Sequence, residues 1–134
     1  MDAFDADVLI YAASGDPRGA EVQNRSADPS GAPIGIGSVL LMSELLVHPR
    51  RHGHDAEYDA LIVLLSRIAL VPVDDTVAAA SVSLGARYGL KALDALHLAS
   101  AVVAGADRFV TNNRRDFNAP IGEIEISFPR EYEI

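Results

Sequence analysis

Two carboxylates, Asp5 and Asp7, stand one residue apart where a short apolar opening stretch ends, and three more acids, Glu44, Asp94 and Asp116, fit poorly with solvated surface charge. Glu44 is the only charge in Val39-Leu-Leu-Met-Ser-Glu-Leu-Leu-Val47, a helical run apolar on every side and therefore expected to be buried. A carboxylate in such a place is destabilising unless a cation or hydrogen bonds meet it, or it takes up a proton. Asp94 opens the helical run Leu93-Asp-Ala-Leu-His-Leu-Ala99, where the helix dipole favours an acid in any case. Asp116 ends the polar run Thr111-Asn-Asn-Arg-Arg-Asp116 and could simply turn a loop. Each of the others also has a plain structural role open to it: a strand-end turn for Asp5, a helix N-cap for Asp7, and ordinary packing or hydrogen bonding for His97. Convergent carboxylates repel by about 1–4 kcal/mol per pair at about 4 Å, so a pocket built from them needs a cation or protons. Oxygen-only ligands favour Mg²⁺ or Mn²⁺ over Zn²⁺, and such an ion activates water and stabilises a phosphodiester displacement.

These acids must be positioned by a scaffold, and the hydrophobic periodicity outlines one. A short strand ends near Asp5 and leads into a helix over 8–13, with Asp7 as its cap. Residues 14–33 are rich in Gly, Pro, Ser, Asp and Ala, with a helical possibility over 19–26. A second strand covers 33–36, and Ser38 caps a helix through residue 47 that Pro49 is expected to stop, leaving a basic loop through His54. Leu61, Leu64, Leu65 and Ile68 recur at helical spacing within a helix over 55–68, followed by a strand over 69–73. Asp74 then caps a helix closed by Gly89, and a further helix over 93–104 is ended by Gly105. Strands over 108–111 and 123–128 follow, the last alternating charged and apolar residues as an edge strand does. Five strands interleaved with helices imply an α/β fold, a mostly parallel central sheet covered by helices on both faces. In open sheets of this kind sites form beyond the carboxyl ends of the strands, where Asp5 and Thr111 both fall.

A chain of 134 residues without cysteine fits one domain, 1–134, that needs no disulfide and has no thiolate metal ligand, as expected in a reducing cytoplasm. The acids at 2, 5 and 7 exclude a secretory signal, and the greasiest stretch, 61–73, is interrupted by Ser66 and Arg67 and too short for a membrane helix, so no membrane association is expected. A net charge of −8 argues against non-specific capture of nucleic acid but not against a nucleic-acid substrate. The pairs Arg50-Arg51 and Arg114-Arg115 are candidates for phosphate contacts, with solvated surface arginine as the plain alternative.

The motifs Phe4-Asp-Ala-Asp-Val-Leu-Ile10, Ser43-Glu-Leu45, Leu93-Asp-Ala-Leu-His-Leu-Ala99 and Phe109-Val-Thr-Asn-Asn-Arg-Arg-Asp-Phe117, in this order and spacing, make the whole chain resemble the PIN-domain ribonucleases, especially the VapC-like toxins of VapBC toxin–antitoxin pairs. The resemblance implies a three-layer α/β/α fold with a five-stranded parallel sheet. It also implies a Mg²⁺- or Mn²⁺-dependent endoribonuclease, frequent homodimers, and an antitoxin that blocks the site. Carried over by position, it makes Asp5, Glu44, Asp94 and an acid after the fourth strand the metal pocket, and the residues themselves offer Asp116 or Thr111 to complete it. Many relatives have Asp where Asn113 stands, so the fourth acid here is either Asp116 or missing, with Asn113 and Asp7 as secondary candidates. Two other readings compete. One is a nucleic-acid- or partner-binding module on a decayed nuclease scaffold, motivated by Asn113 and the strongly acidic net charge. The other is a haloacid dehalogenase-type phosphatase, motivated by Asp5-Ala-Asp7 and needing a downstream lysine that only Lys91 can supply.

Overall fold

The computed structural model describes residues 1–129. Strands β1 (Ala3–Phe4), β2 (Gly35–Ser38), β3 (Ile68–Val71), β4 (Arg108–Val110) and β5 (Glu125–Ser127) alternate with helices α1 (Ala6–Ser14), α2 (Ala20–Ser26), α3 (Leu41–Arg51), α4 (Asp55–Leu65), α5 (Asp75–Tyr88) and α6 (Ala92–Val103). All strand pairings are parallel, in the order β3-β2-β1-β4-β5, so β5 is the edge its alternating sequence predicts. Side chains alternate across the sheet with a period of two. Phe4 and Val110 point into a core shared with α1 to α4, whereas Ala3 and Phe109 point into a second core with α5 and α6. The predicted three-layer α/β/α architecture is therefore observed. Among the described residues no helix is long and apolar enough to cross a membrane.

Several boundaries differ from the sequence-based expectation, each for a physical reason. The first helix begins at Ala6, and its N-cap is Asp5, not Asp7: Asp5 is extended at φ −80°, ψ 162°, and its carboxylate accepts from the Ala6 N–H at 2.9 Å. Pairing with β4 fixes this frame, because the Asp5 N–H donates to the Val110 carbonyl and extends the ladder to the capping residue. Pro49 does not stop α3, which runs to Arg51 with the proline fully buried. A proline there removes one backbone bond and crowds the carbonyl four residues back, a local penalty offset by burial of its ring. Ile68 belongs to β3 and not to the preceding helix, since its N-terminal neighbours Ser66 and Arg67 already form the turn out of α4. The α5 cap is as expected, with Asp74 Oδ1 accepting from the Val77 N–H at 3.0 Å and Gly89 closing the helix at φ +67°.

Candidate metal centre

Strand order places β1 and β4 side by side while their onward connections diverge, β1 leading to β2 on one flank and β4 to β5 on the other. A crevice opens at such a switch point, at the carboxyl ends of the strands. Asp5 follows β1 there, and Thr111 follows β4. Thr111 is fully buried; its hydroxyl donates to Asp5 Oδ2 at 2.8 Å and accepts from the Asn113 N–H at 3.0 Å. Asp5 is thus fixed by three bonds, from Thr111, from Ala6 and through its own N–H to Val110. Its remaining lone pairs are those that a ligand could use.

Glu44 approaches from α3 on one face of the sheet and His97 from α6 on the other, so they meet only past the sheet's carboxyl edge. His97 Nε2 lies 2.5 Å from Glu44 Oε2, its side chain is 1% exposed, and its Nδ1 is buried without a partner. Asp5, Glu44 and His97 each offer one ligand atom, and these atoms all lie within 4.8 Å of one another. The helix bearing Glu44 is not buried all round as its composition predicts. Only Leu41, Leu45, Leu46 and Pro49 are covered, Met42 and Val47 are exposed, and the Glu44 side chain keeps 32% of its surface accessible. Its position beside Asp5 and His97, not deep burial, makes it a ligand candidate.

Asp94, in the first turn of α6, stands outside this close trio but within its field. Burial, then the charges of Asp5 and Asp116, push its carboxyl above the usual range, with His97 opposing and Glu44 adding. Burial also raises Asp5, against the Thr111 hydrogen bond and the His97 charge. Asp7 is pushed up to about 6 by burial and then by Asp5, although both its oxygens accept backbone bonds, from Val8 at 2.8 Å and from Asn112 at 3.0 Å. The role of Asp7 is therefore a tie between α1 and the loop after β4. His97 is the one neighbouring group that lowers both Asp5 and Asp94. Burial works against a proton on its ring, but Glu44, Asp5 and Asp94 together raise its pKa. Mutually raised acids around one imidazole are the donor set a divalent cation fits, because the ion supplies the charge the protein lacks.

Asp116 is held at the rim by Asn113, whose Nδ2 donates to Asp116 Oδ2 at 3.0 Å and whose Oδ1 accepts from the Asp116 N–H at 3.3 Å. Asn113 thus positions an acid. Arg114 and Arg115 are exposed on the same loop, with the Arg114 guanidinium 4.5 Å from the Phe128 ring centre. Arg50 and Arg51 lie in the last turn of α3, about 9 Å or more from Glu44 along the helix axis. Lys91 is exposed at the N-cap of α6. The part of the site that residue types did not disclose is the His97–Glu44 contact. The spacing of Asp94 and His97, one turn apart on one helix face, was its only trace in the sequence.

A family profile described as "PIN domain" matches residues 3–120, a span that contains every residue of this centre. A chain of a toxin–antitoxin complex from Klebsiella pneumoniae is similar over 98% of this chain and 100% of its own, at 26% identity and a TM-score of 0.74. A chain of VapBC2 from Rickettsia felis, solved bound to a DNA fragment from its promoter, is similar over 95% of this chain and 97% of its own, at 17% identity and a TM-score of 0.70. A comparison with curated proteins finds no match. The profile covers β1 to β4, the switch-point crevice and the acids gathered in it, and on that ground the chain belongs to the PIN domain family, with the fold it shares with the VapBC2 chain.

Proposed function

We propose that this protein is a metal-dependent endoribonuclease, the toxin of a toxin–antitoxin pair, with Mg²⁺ or Mn²⁺ held by Asp5, Glu44 and Asp94 and completed by Asp116. The observation that carries this reading is the convergence of Asp5, Glu44 and His97 within 4.8 Å in a PIN domain, with Asp94 and Asp116 in the same field. A bound ion would activate water and offset phosphate charge. The chain's own residues divide the remaining work. Thr111 and the α1 N-terminus fix Asp5, His97 holds Glu44 by a charge-assisted bond, and Asn113 keeps Asp116 at the rim. Arg114 and Arg115, exposed on the loop that carries Asp116, are the candidates to meet backbone phosphates of an RNA strand. The similarity to a chain of a toxin–antitoxin complex supports a cognate antitoxin as partner. A homodimer and a cytoplasmic site of action belong to the same reading.

The test uses purified protein and a structured RNA. Cleavage is expected with Mg²⁺ or Mn²⁺, abolished by chelation and reduced at least 100-fold in Asp5→Asn and Asp94→Asn. Unchanged cleavage in either variant overturns the assignment. Calorimetry with Mn²⁺ separates the enzyme from a binding module on a decayed scaffold. The enzyme predicts Mn²⁺ binding that weakens at least tenfold in Glu44→Gln, whereas failure to bind Mn²⁺ even with RNA present favours the module.

A further inference from the structure

Three of the four histidines fall between residues 48 and 54, in His48-Pro-Arg-Arg-His-Gly-His54, and none belongs to the carboxylate centre. His48 and His52 are four residues apart at the end of α3 and therefore share a helix face. The chain then leaves the helix through paired backbone bonds, Gly53 N–H to the Arg50 carbonyl at 3.4 Å and His54 N–H to the Pro49 carbonyl at 2.9 Å, with Gly53 at φ +67°. This Schellman closure folds residue 54 back over the helix end. The three rings come together as a result: centroids are 4.5 Å apart for His48 and His52, and 5.8 Å for each of the other two pairs. From the first turn of α4, Glu57 brings a carboxylate oxygen to 3.5 Å from His54 Nδ1.

A rigid turn that gathers three imidazoles and a carboxylate on an exposed face has little structural reason to do so. Ring contacts contribute only about 0.5–1.5 kcal/mol, and protonated rings repel one another. Neutral imidazole is, in contrast, a favoured ligand for Zn²⁺, Ni²⁺ and Cu²⁺, and tetrahedral zinc takes nitrogen donors about 3.3 Å apart, given bonds of about 2.0–2.1 Å. The nitrogens are not yet that close, since among the described residues only the Asp5 centre has three donors within 4.8 Å. All three histidines are exposed, so their side chains have room to turn their nitrogens towards one ion. Arg50 and Arg51 oppose a cation here, but the Arg50 guanidinium is 5.6 Å from the Tyr58 ring centre, and Asp55 joins Glu57 in the first turn of α4.

We propose that His48, His52, His54 and Glu57 form a second metal site, selective for an imidazole-preferring dication such as Zn²⁺ and distinct in chemistry from the carboxylate centre. Bound there, the ion clamps the end of α3 to the start of α4. Untagged full-length protein is titrated with Zn²⁺ alone in excess Mg²⁺, and the imidazole nitrogens are followed by NMR. The expected result is one Zn²⁺ equivalent that shifts the resonances of His48, His52 and His54 and persists in Asp5→Asn. It is weakened at least tenfold in His52→Gln, in the double variant His48→Gln/His54→Gln, and to a smaller degree in Glu57→Gln. Because these side chains are exposed, the variants should keep the wild-type circular dichroism and Mg²⁺-dependent cleavage. The proposal is overturned by no Zn²⁺ binding, by an equivalent unaffected in the histidine variants, or by one that shifts only His97 and vanishes in Asp5→Asn.

Discussion

Thr111 shows how a single buried hydroxyl fixes the position of an acid in the candidate site. Its oxygen donates to Asp5 and accepts from the Asn113 N–H, and thereby couples the acid after β1 to the loop that carries Asp116. Thr111→Val preserves shape and removes both bonds, leaving a buried carboxylate oxygen and an N–H without their partner. An orphaned buried group costs about 1–3 kcal/mol, so the midpoint of denaturant unfolding should fall accordingly. Thr111→Ser keeps the hydroxyl and should restore Mn²⁺ affinity, whereas a purely packing role would make Ser no better than Val. The wet end of the crevice behaves differently. Glu44 is one third exposed and a glutamine can still accept from His97 Nε2, so Glu44→Gln should reduce ion binding with a smaller change in unfolding midpoint than Thr111→Val.

At the scale of elements, the closest fit is between α1 and the turn of 3-10 helix at Pro17–Gly19. A Cβ on Gly19 would sit 2.1 Å from the Ala12 nitrogen, 2.4 Å from its Cα and 2.5 Å from the Tyr11 carbonyl carbon. These are backbone atoms of α1, so no rotamer change relieves the overlap and the elements must separate. Gly19→Ala should therefore destabilise by about 1–3 kcal/mol or more. Because Asp5 caps the same helix, Mn²⁺ affinity should fall as well; a stable variant with intact affinity would contradict this packing account. Where local chemistry decides, the elements were legible in the sequence: the Asp74 cap, the glycines at 89 and 105, and the alternating edge strand. Where a tertiary partner decides, they were not. Pro49 is tolerated because its ring is buried, and the cap is Asp5 because β4 extends the pairing to it. Glu44 lies in an apolar sequence whose Met42 and Val47 nonetheless face solvent. The acids of the site were readable as residue types. That His97 would reach Glu44 from the opposite layer depends on the topology.

At the scale of the whole molecule, the site opposes the stability of the fold that builds it. Asp5, Asp7 and Asp94 all have raised carboxyl pKa values, that of Asp7 to about 6. Between the usual carboxylate value of about 4 and about pH 6, the folded protein holds more protons than the unfolded chain, so its stability falls as pH rises. His97 acts in the same direction. Its pKa is raised, so its contribution is full below the free imidazole value of about 6.5 and is lost as pH climbs through the folded value. The acids with lowered values, Asp2, Asp16 and Asp28, gain their stability on rising through more acid pH and are complete before this window closes. With chelator present, the melting temperature should therefore decline from about pH 5 to about pH 8. A divalent ion that binds only the folded state adds stability by mass action, and it competes with protons for the same oxygens. Mg²⁺ should accordingly raise the melting temperature more at neutral than at acid pH and flatten the profile. A rise with pH in chelator, or an equal Mg²⁺ shift at both ends, would show that the carboxylates are not the groups sharing the ion. In Asp5→Asn one of the acids that raise Asp7 and Asp94 is gone, so the chelated profile should flatten without metal while the Mg²⁺ response is lost.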